Sequence, residues 1–155
     1  MIERLLGAGA SINEPTYEDH TALAQAAFNG QADACRLLAT NGADVNLGRK
    51  ESGESPLHCA TVKKHRAVVI ALLEQGADAN KTSRPGLITS LLYCDVLTCG
   101  ESPLHYAAAY CDLKTIEILI KGGADKSLKT IYGEIPFQWA GRFWRNKEVR
   151  RILEP

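Results

Sequence analysis

The sequence predicts an all-α solenoid of about four helix-turn-helix units preceded by a half-unit, and three observations carry that expectation. One short opening recurs as Thr21-Ala22-Leu23-Ala24-Gln25-Ala26-Ala27, Ser55-Pro56-Leu57-His58-Cys59-Ala60, Ser102-Pro103-Leu104-His105-Tyr106-Ala107-Ala108 and Ile135-Pro136-Phe137-Gln138-Trp139-Ala140. The first residues of these openings are 34, 47 and 33 positions apart. A closing signature follows the first three, as Gly42-Ala43-Asp44-Val45-Asn46, Gly76-Ala77-Asp78-Ala79-Asn80 and Gly123-Ala124-Asp125, with a further copy, Gly9-Ala10-Ser11-Ile12-Asn13, near the start of the chain.

Each element follows from its residues. Ser55 and Ser102 precede a proline at the first helical position, where a missing N–H costs nothing and the hydroxyl can cap free amides, so each opening starts a short helix. The second apolar run of each unit, such as Ala34-Cys35-Arg36-Leu37-Leu38 or Ile116-Glu117-Ile118-Leu119-Ile120, has helical spacing and stops at Gly42 or Gly123, where a left-handed residue ends a helix. Asn29-Gly30 in one unit and Tyr110-Cys111-Asp112 in another leave room only for a tight turn between antiparallel helices. Two short helices cannot bury their apolar faces alone, so the units must stack on a shared core.

The Ser-Pro-Leu-His-x-Ala openings, the Gly-Ala-Asp-x-Asn closings and the period resemble the ankyrin repeat over nearly the whole chain. The resemblance implies an L-shaped stack in which helix pairs form the body and β-hairpin-like fingers project from it. It divides a single domain, 1–155, into a half-repeat at 1–15, repeats at 16–49, 50–80, 97–129 and 130–155, and an insertion at 81–96. Residues Ile2 to Leu6 supply only a second helix, which fits either a piece of a longer protein or an atypical cap. Arg150 and Arg151 stand on a helix face that carries Leu37 or Ile118 earlier, so the end of the chain reads as a solvent-facing cap, with Arg142, Arg145 and Lys147 part of it rather than of a nucleic-acid patch.

Eighteen basic and eighteen acidic residues cancel, so no global field draws nucleic acid or anionic lipid. Apolar stretches such as Ala67 to Leu73 are too short to cross a bilayer, and the N-terminus lacks the pattern of a secretory signal. Five scattered cysteines, Cys35, Cys59, Cys94, Cys99 and Cys111, make no disulfide framework and suit a reducing compartment. The expectation is a soluble monomer of the cytoplasm or nucleus, with no cofactor and no metal. Cys94 and Cys99 lack the paired ligands that zinc requires.

The 47-residue interval exceeds its neighbours by 13 or 14 residues. The surplus lies between Lys81 and Thr98, and its sequence from Arg84 to Leu97 is too apolar for a free linker and should dock. It either lies against the neighbouring fingers as an extended hairpin or short helix, or offers an apolar contact to a partner.

The histidines do not assemble a catalytic site. The resemblance assigns His58 and His105 to hydrogen bonds between repeats, and Ala24 and Gln138 stand at the equivalent places, while His65 and His20 have no nucleophile and orienting acid beside them. Gly122-Gly123 and Gly7-Ala8-Gly9 follow helices, whereas phosphate loops precede them. The resemblance implies a function of binding another protein through finger tips and the exposed side of each first helix. The residue before each opening is His20, Glu54, Glu101 or Glu134, which stacking would set in an acidic row extended by Glu18 and Glu51. Tyr17, Tyr132, Phe28, Tyr110 and Phe143 would add aromatic anchors, so the groove would select a basic or aromatic segment. Asn46 and Asn80, in Leu-x5-Asp-x-Asn contexts, resemble ankyrin sites used by an asparaginyl hydroxylase, although the same asparagine ordinarily holds the turn.

Overall fold

A computed structural model describes residues 11–16, 20–86, 88–89 and 96–155. The expected half-repeat helix at Ile2 to Leu6, Gly7-Ala8-Gly9, Tyr17, Glu18 and Cys94 lie outside them. Four helix pairs follow in order: α1 (Ala22–Phe28) with α2 (Ala32–Thr40), α3 (Pro56–Val62) with α4 (Arg66–Glu74), α5 (Pro103–Tyr110) with α6 (Leu113–Lys121), and α7 (Pro136–Arg142) with α8 (Lys147–Leu153). Between the second and third pairs, β1 (Ile88–Thr89) runs antiparallel to β2 (Val96–Leu97), with Ile88 opposite Leu97 and Thr89 opposite Val96.

The helices start and stop where the residues dictate. Thr21 Oγ1 accepts the Ala24 amide at 3.1 Å, and Pro56, Pro103 and Pro136 fill first-turn positions that need no donor. The second helices of the first three repeats end at Gly42, Gly76 and Gly123, all at positive φ of 83° to 92°, which spares a Cβ the left-handed clash.

The first helices form one row, α1 to α3 to α5 to α7, and the second helices another, so each helix packs on its own partner and on its neighbours along the row. Leu23, Leu57 and Leu104 fill one column of the core. Ala26, Ala60, Ala107 and Ala140 fill the next, where a methyl group lets neighbouring helices come close. From the other row Cys35, Val69 and Ile116 point into the same apolar layer, joined by Leu38, Leu72 and Leu119 and, in the last repeat, by Val149 and Leu153. Arg150 and Arg151 are exposed, as the charge at those positions predicts.

Two hydrogen-bond lattices lock the units in register. The Asp44 amide donates to Asn13 Oδ1, the Asp78 amide to Asn46 Oδ1 and the Asp125 amide to Asn80 Oδ1, at 2.7–2.9 Å, so Asn13 already plays the part its successors play. Asn46 and Asn80 return a donor to the carbonyls of Gly76 and Gly123 in the following repeat. In the second lattice, His58 Nε2 lies 3.1 Å from the Glu101 carbonyl and His105 Nε2 lies 3.0 Å from that of Glu134. A carbonyl can only accept, so Nε2 carries the proton and Nδ1 accepts from the backbone N–H of Ser55 or Ser102 at 3.1 Å. Gln138 Oε1 takes the equivalent bond, from the Ile135 amide, at 2.7 Å.

Candidate functional site

The fingers are closed by one repeated backbone bond. The amides of Thr16, Arg49, Ser83 and Thr130 donate to the carbonyls of His20, Glu54, Glu101 and Glu134 at 2.8–3.0 Å. The same closure spans 18 residues in the third finger and four or five in the others, so the surplus residues enlarge that finger's tip. The described stem is a hairpin: Ser83 meets Glu101, the Gly86 amide meets the Thr98 carbonyl at 2.7 Å, and β1 pairs with β2. Neighbouring fingers are bonded to one another, the Arg84 amide to the Ser52 carbonyl at 2.7 Å and the Ile131 amide to the Cys99 carbonyl at 2.8 Å.

The expected acidic row is present along the chain but does not face a groove. The Glu54 side chain is wholly buried, accepting from Ser52 Oγ at 2.8 Å and from Tyr106 Oη at 3.2 Å, with Arg49 Nη1 at 3.9 Å. Glu101 is 3% exposed; its carboxylate accepts from Ser83 Oγ at 2.7 Å and from the Cys99 amide at 2.8 Å. Glu134 is half-buried and bonded to Arg142, and His20 is buried with its ring 6.1 Å from that of Phe28. These carboxylates answer the donors of their own fingers and neighbours, because a buried charge must be paired. Glu51 alone of the described acidic candidates is exposed.

The first helices of the middle repeats are also closed off. Every residue of α3 is buried, as is every residue of α5 except Tyr110. An open helical surface along the whole concave side is therefore absent among the described residues, and the accessible ground lies at the fingers and on the first helices of the outer repeats, α1 and α7.

That ground is lined by cations. A cavity of about 360 Å³ between the first two fingers has Pro15, Thr21, Ala24 and Leu47 on its walls with Arg49, Lys50 and Arg84. A second, of about 350 Å³, continues toward the third finger, sharing Leu47, Gly48, Arg49 and Arg84 and adding Asp44, Asn46, Gly53, Lys81 and Thr82. Arg84 Nη1 donates to the Lys50 carbonyl at 2.6 Å, which fixes one cation across two fingers. Sequence reasoning passed over Arg49, Lys50, Lys81 and Arg84. The signal was their place on the limb of the finger opposite each buried glutamate, four or five residues before Glu54 and 17 or 20 before Glu101.

The aromatic candidates split into two groups. Tyr132 is 73% exposed at the tip of the fourth finger beside exposed Ile131. Phe28, Tyr110 and Phe143 sit at the other end of the first helices: Lys63 Nζ lies 4.1 Å above the Phe28 ring, and Tyr110 meets Phe143 edge-on at 5.0 Å. Trp144 beside them is 94% exposed with φ of +53°, at the turn position that Gly30 and Lys64 occupy at +77° and +61° in earlier units.

The buried thiols and imidazole are held in their neutral forms. Burial pushes the thiols of Cys59 and Cys111 up to about 12 and that of Cys35 to about 11, which keeps them protonated and poor nucleophiles. Burial likewise lowers His58 to about 4, against the opposing pull of its bond to the Glu101 carbonyl. Among the described residues no group of three histidines, cysteines or carboxylates is placed to hold a metal, and no helix is long and apolar enough to cross a membrane. Asn46 and Asn80 are half-buried and tied into the lattice, so a modifying enzyme would first have to break those bonds.

A family model described as ankyrin repeats in three copies matches residues 1–83, and one described as ankyrin repeat matches residues 99–131. The enlarged finger fills the interval between them. The chain is 29% identical over 153 residues to the B-cell lymphoma 3 protein homolog of Mus musculus, covering 99% of this chain and 30% of that protein. It is 33% identical over 135 residues to the ankyrin repeat and SOCS box protein 6 of Homo sapiens, covering 86% and 30% respectively. It is 30% identical over 164 residues to the mitochondrial disaggregase of Bos taurus, covering 90% and 23%. The chain thus spans less than a third of each of these relatives.

Proposed function

Because the chain belongs to the ankyrin-repeat family, we propose that it is a non-catalytic protein-binding module that receives a segment of its partner across the first three fingers. The observation that carries this reading is the pair of adjoining cavities at the finger bases, held open by backbone bonds while the stack behind them is closed. A rigid scaffold presenting adaptable side chains is what a recognition surface requires, and concave ground with apolar walls and a few polar groups is where segments dock. The reading takes the domain as a monomer of the cytoplasm or nucleus, acting on a protein rather than on nucleic acid or membrane. The four described cysteines, none in a disulfide, suit that compartment.

A second reading is supported by coverage. The relatives are much longer and carry names as different as a SOCS box protein and a disaggregase, so the chain can be the partner-selecting segment of a larger adaptor or enzyme. Both readings place recognition on the same fingers.

The test is hydrogen exchange on the complex with a partner identified by affinity capture. Slowed exchange at residues 47–53 and 81–86 is the expected result. Protection confined to the outer faces of α2, α4, α6 and α8 would show that the fingers are not the recognition surface.

A further inference from the structure

We propose that the occupant of the finger groove is an acidic segment, extended and about six residues long, whose carboxylates meet Lys50, Lys81 and Arg84 while apolar side chains settle against Pro15, Ala24 and Leu47. This rests on the reading of the fingers as the recognition surface and names what they select. It reverses the charge preference that the sequence suggests, and the reversal has a structural cause.

The chain as a whole is neutral. Its charges are nevertheless sorted at the fingers: Glu54 and Glu101 turn inward and are consumed by Ser52, Tyr106, Ser83 and the Cys99 amide, whereas the cations of the same fingers line the two cavities. Arg49 leans toward Glu54 at 3.9 Å and is partly neutralised by it. Lys50 and Arg84 are exposed and Lys81 is half-buried. Three described carboxylates stand on the other side of the balance, among them Glu14, exposed between the lining residues Asn13 and Pro15. Asp44 lines the second cavity, with Oδ1 engaged by the Asn46 amide at 2.8 Å, and Glu51 is exposed at the second finger. Among the residues that line the two cavities, Arg49, Lys50, Lys81 and Arg84 face a single carboxylate, Asp44, and a cleft with low-dielectric walls focuses such an excess on its contents.

Shape favours a peptide. Three fingers at a spacing of about 10 Å per repeat span roughly 20 Å, which an extended chain covers in about six residues. The walls at Pro15, Ala24 and Leu47 are apolar, and the stems of Lys50 and Arg84 extend that surface, so a ligand offering charge alone would leave them unsatisfied. A nucleic acid, held chiefly through phosphates, gains little from apolar walls.

The proposal is tested with the full chain and fluorescent hexapeptides by anisotropy: one alternating Glu with Leu, one alternating Lys with Leu, one of Glu and Ser, and a single-stranded hexanucleotide. The Glu/Leu peptide is expected to bind best. Its affinity should fall roughly tenfold or more between 50 and 300 mM salt, and by a similar factor in the variant K50E/K81E, whose folding is checked by its melting temperature. Equal or tighter binding of the Lys/Leu peptide, equal binding of the hexanucleotide, or unchanged Glu/Leu affinity in the folded double variant would overturn it. Binding of no hexapeptide would also overturn it, while a captured partner that still protects residues 47–53 and 81–86 would leave the broader reading intact.

Discussion

Glu54→Ala is expected to lower the unfolding free energy by about 3–5 kcal/mol, a large share of the stability of a domain this size. The carboxylate is fully enclosed and joins two repeats: Ser52 and Arg49 belong to its own finger, while Tyr106 comes from α5 of the next unit. Alanine would strand the Ser52 and Tyr106 hydroxyls and the Arg49 guanidinium around a void, and each buried group left without its acceptor carries a desolvation penalty of about 1–3 kcal/mol. Tyr106→Phe removes one of those bonds and leaves the others, so it should cost about 1 kcal/mol. Urea unfolding measures both. A loss below about 1 kcal/mol for Glu54→Ala would mean that the carboxylate is solvated, as surface groups usually are.

The second large effect is on pH dependence. His58 is held neutral in the stack at about 4, mainly by burial, against 6.5 in an unfolded chain. Between those values the unfolded chain binds a proton that the folded one refuses, so acid favours unfolding. Stability is therefore complete above pH 6.5 and falls as the pH drops toward 4, by about 3 kcal/mol from this residue. Burial lowers His105 as well, and it adds in the same direction. Asp112 and Asp125 are held below the usual carboxylate range by hydrogen bonds from Thr115 and Ser127; the stability they add is lost as the pH falls through the unfolded value of 3.8 and below, under the histidine window. His58→Gln is the control, since Gln138 already makes the equivalent cap bond in the fourth repeat. Melting temperatures between pH 7.5 and 4.5 should drop steeply in the native sequence and less steeply in the variant. Equal slopes in the two proteins would show that His58 is not the titrating group.

The scaffold was legible because its rules are local. Ser-Pro pairs announce helix starts, and Gly42, Gly76 and Gly123 announce stops, since only a residue tolerant of positive φ ends these helices cheaply. The excess interval located the enlarged finger by counting alone. The inter-repeat role of His58 and His105 came from resemblance, and the geometry bears it out.

The candidate surface was less legible, because the direction of a finger-base carboxylate is decided by residues far along the chain. Glu54 turns inward because Tyr106, 52 residues later, offers a hydroxyl there. Glu101 turns inward because Ser83, 18 residues earlier, donates to it across the enlarged finger. Gln25 and Cys59 hold the places equivalent to Tyr106 and supply no such hydroxyl, so the repeat pattern by itself could not reveal it. Arg49 and Arg84 escaped notice for the complementary reason. Isolated cations in loops ordinarily signify solvation, and only the pairing of the fingers gathers them.

Carboxyl labelling with a water-soluble carbodiimide and an amine, read residue by residue by mass spectrometry, tests the sorting of charge most directly. With the fold intact, Glu14, Glu51 and Glu148 should react readily while Glu54 and Glu101 stay unmodified. Labelling of Glu54 and Glu101 at the rate of Glu51 would contradict the account, because the carboxylates that the stack encloses would then face the solvent.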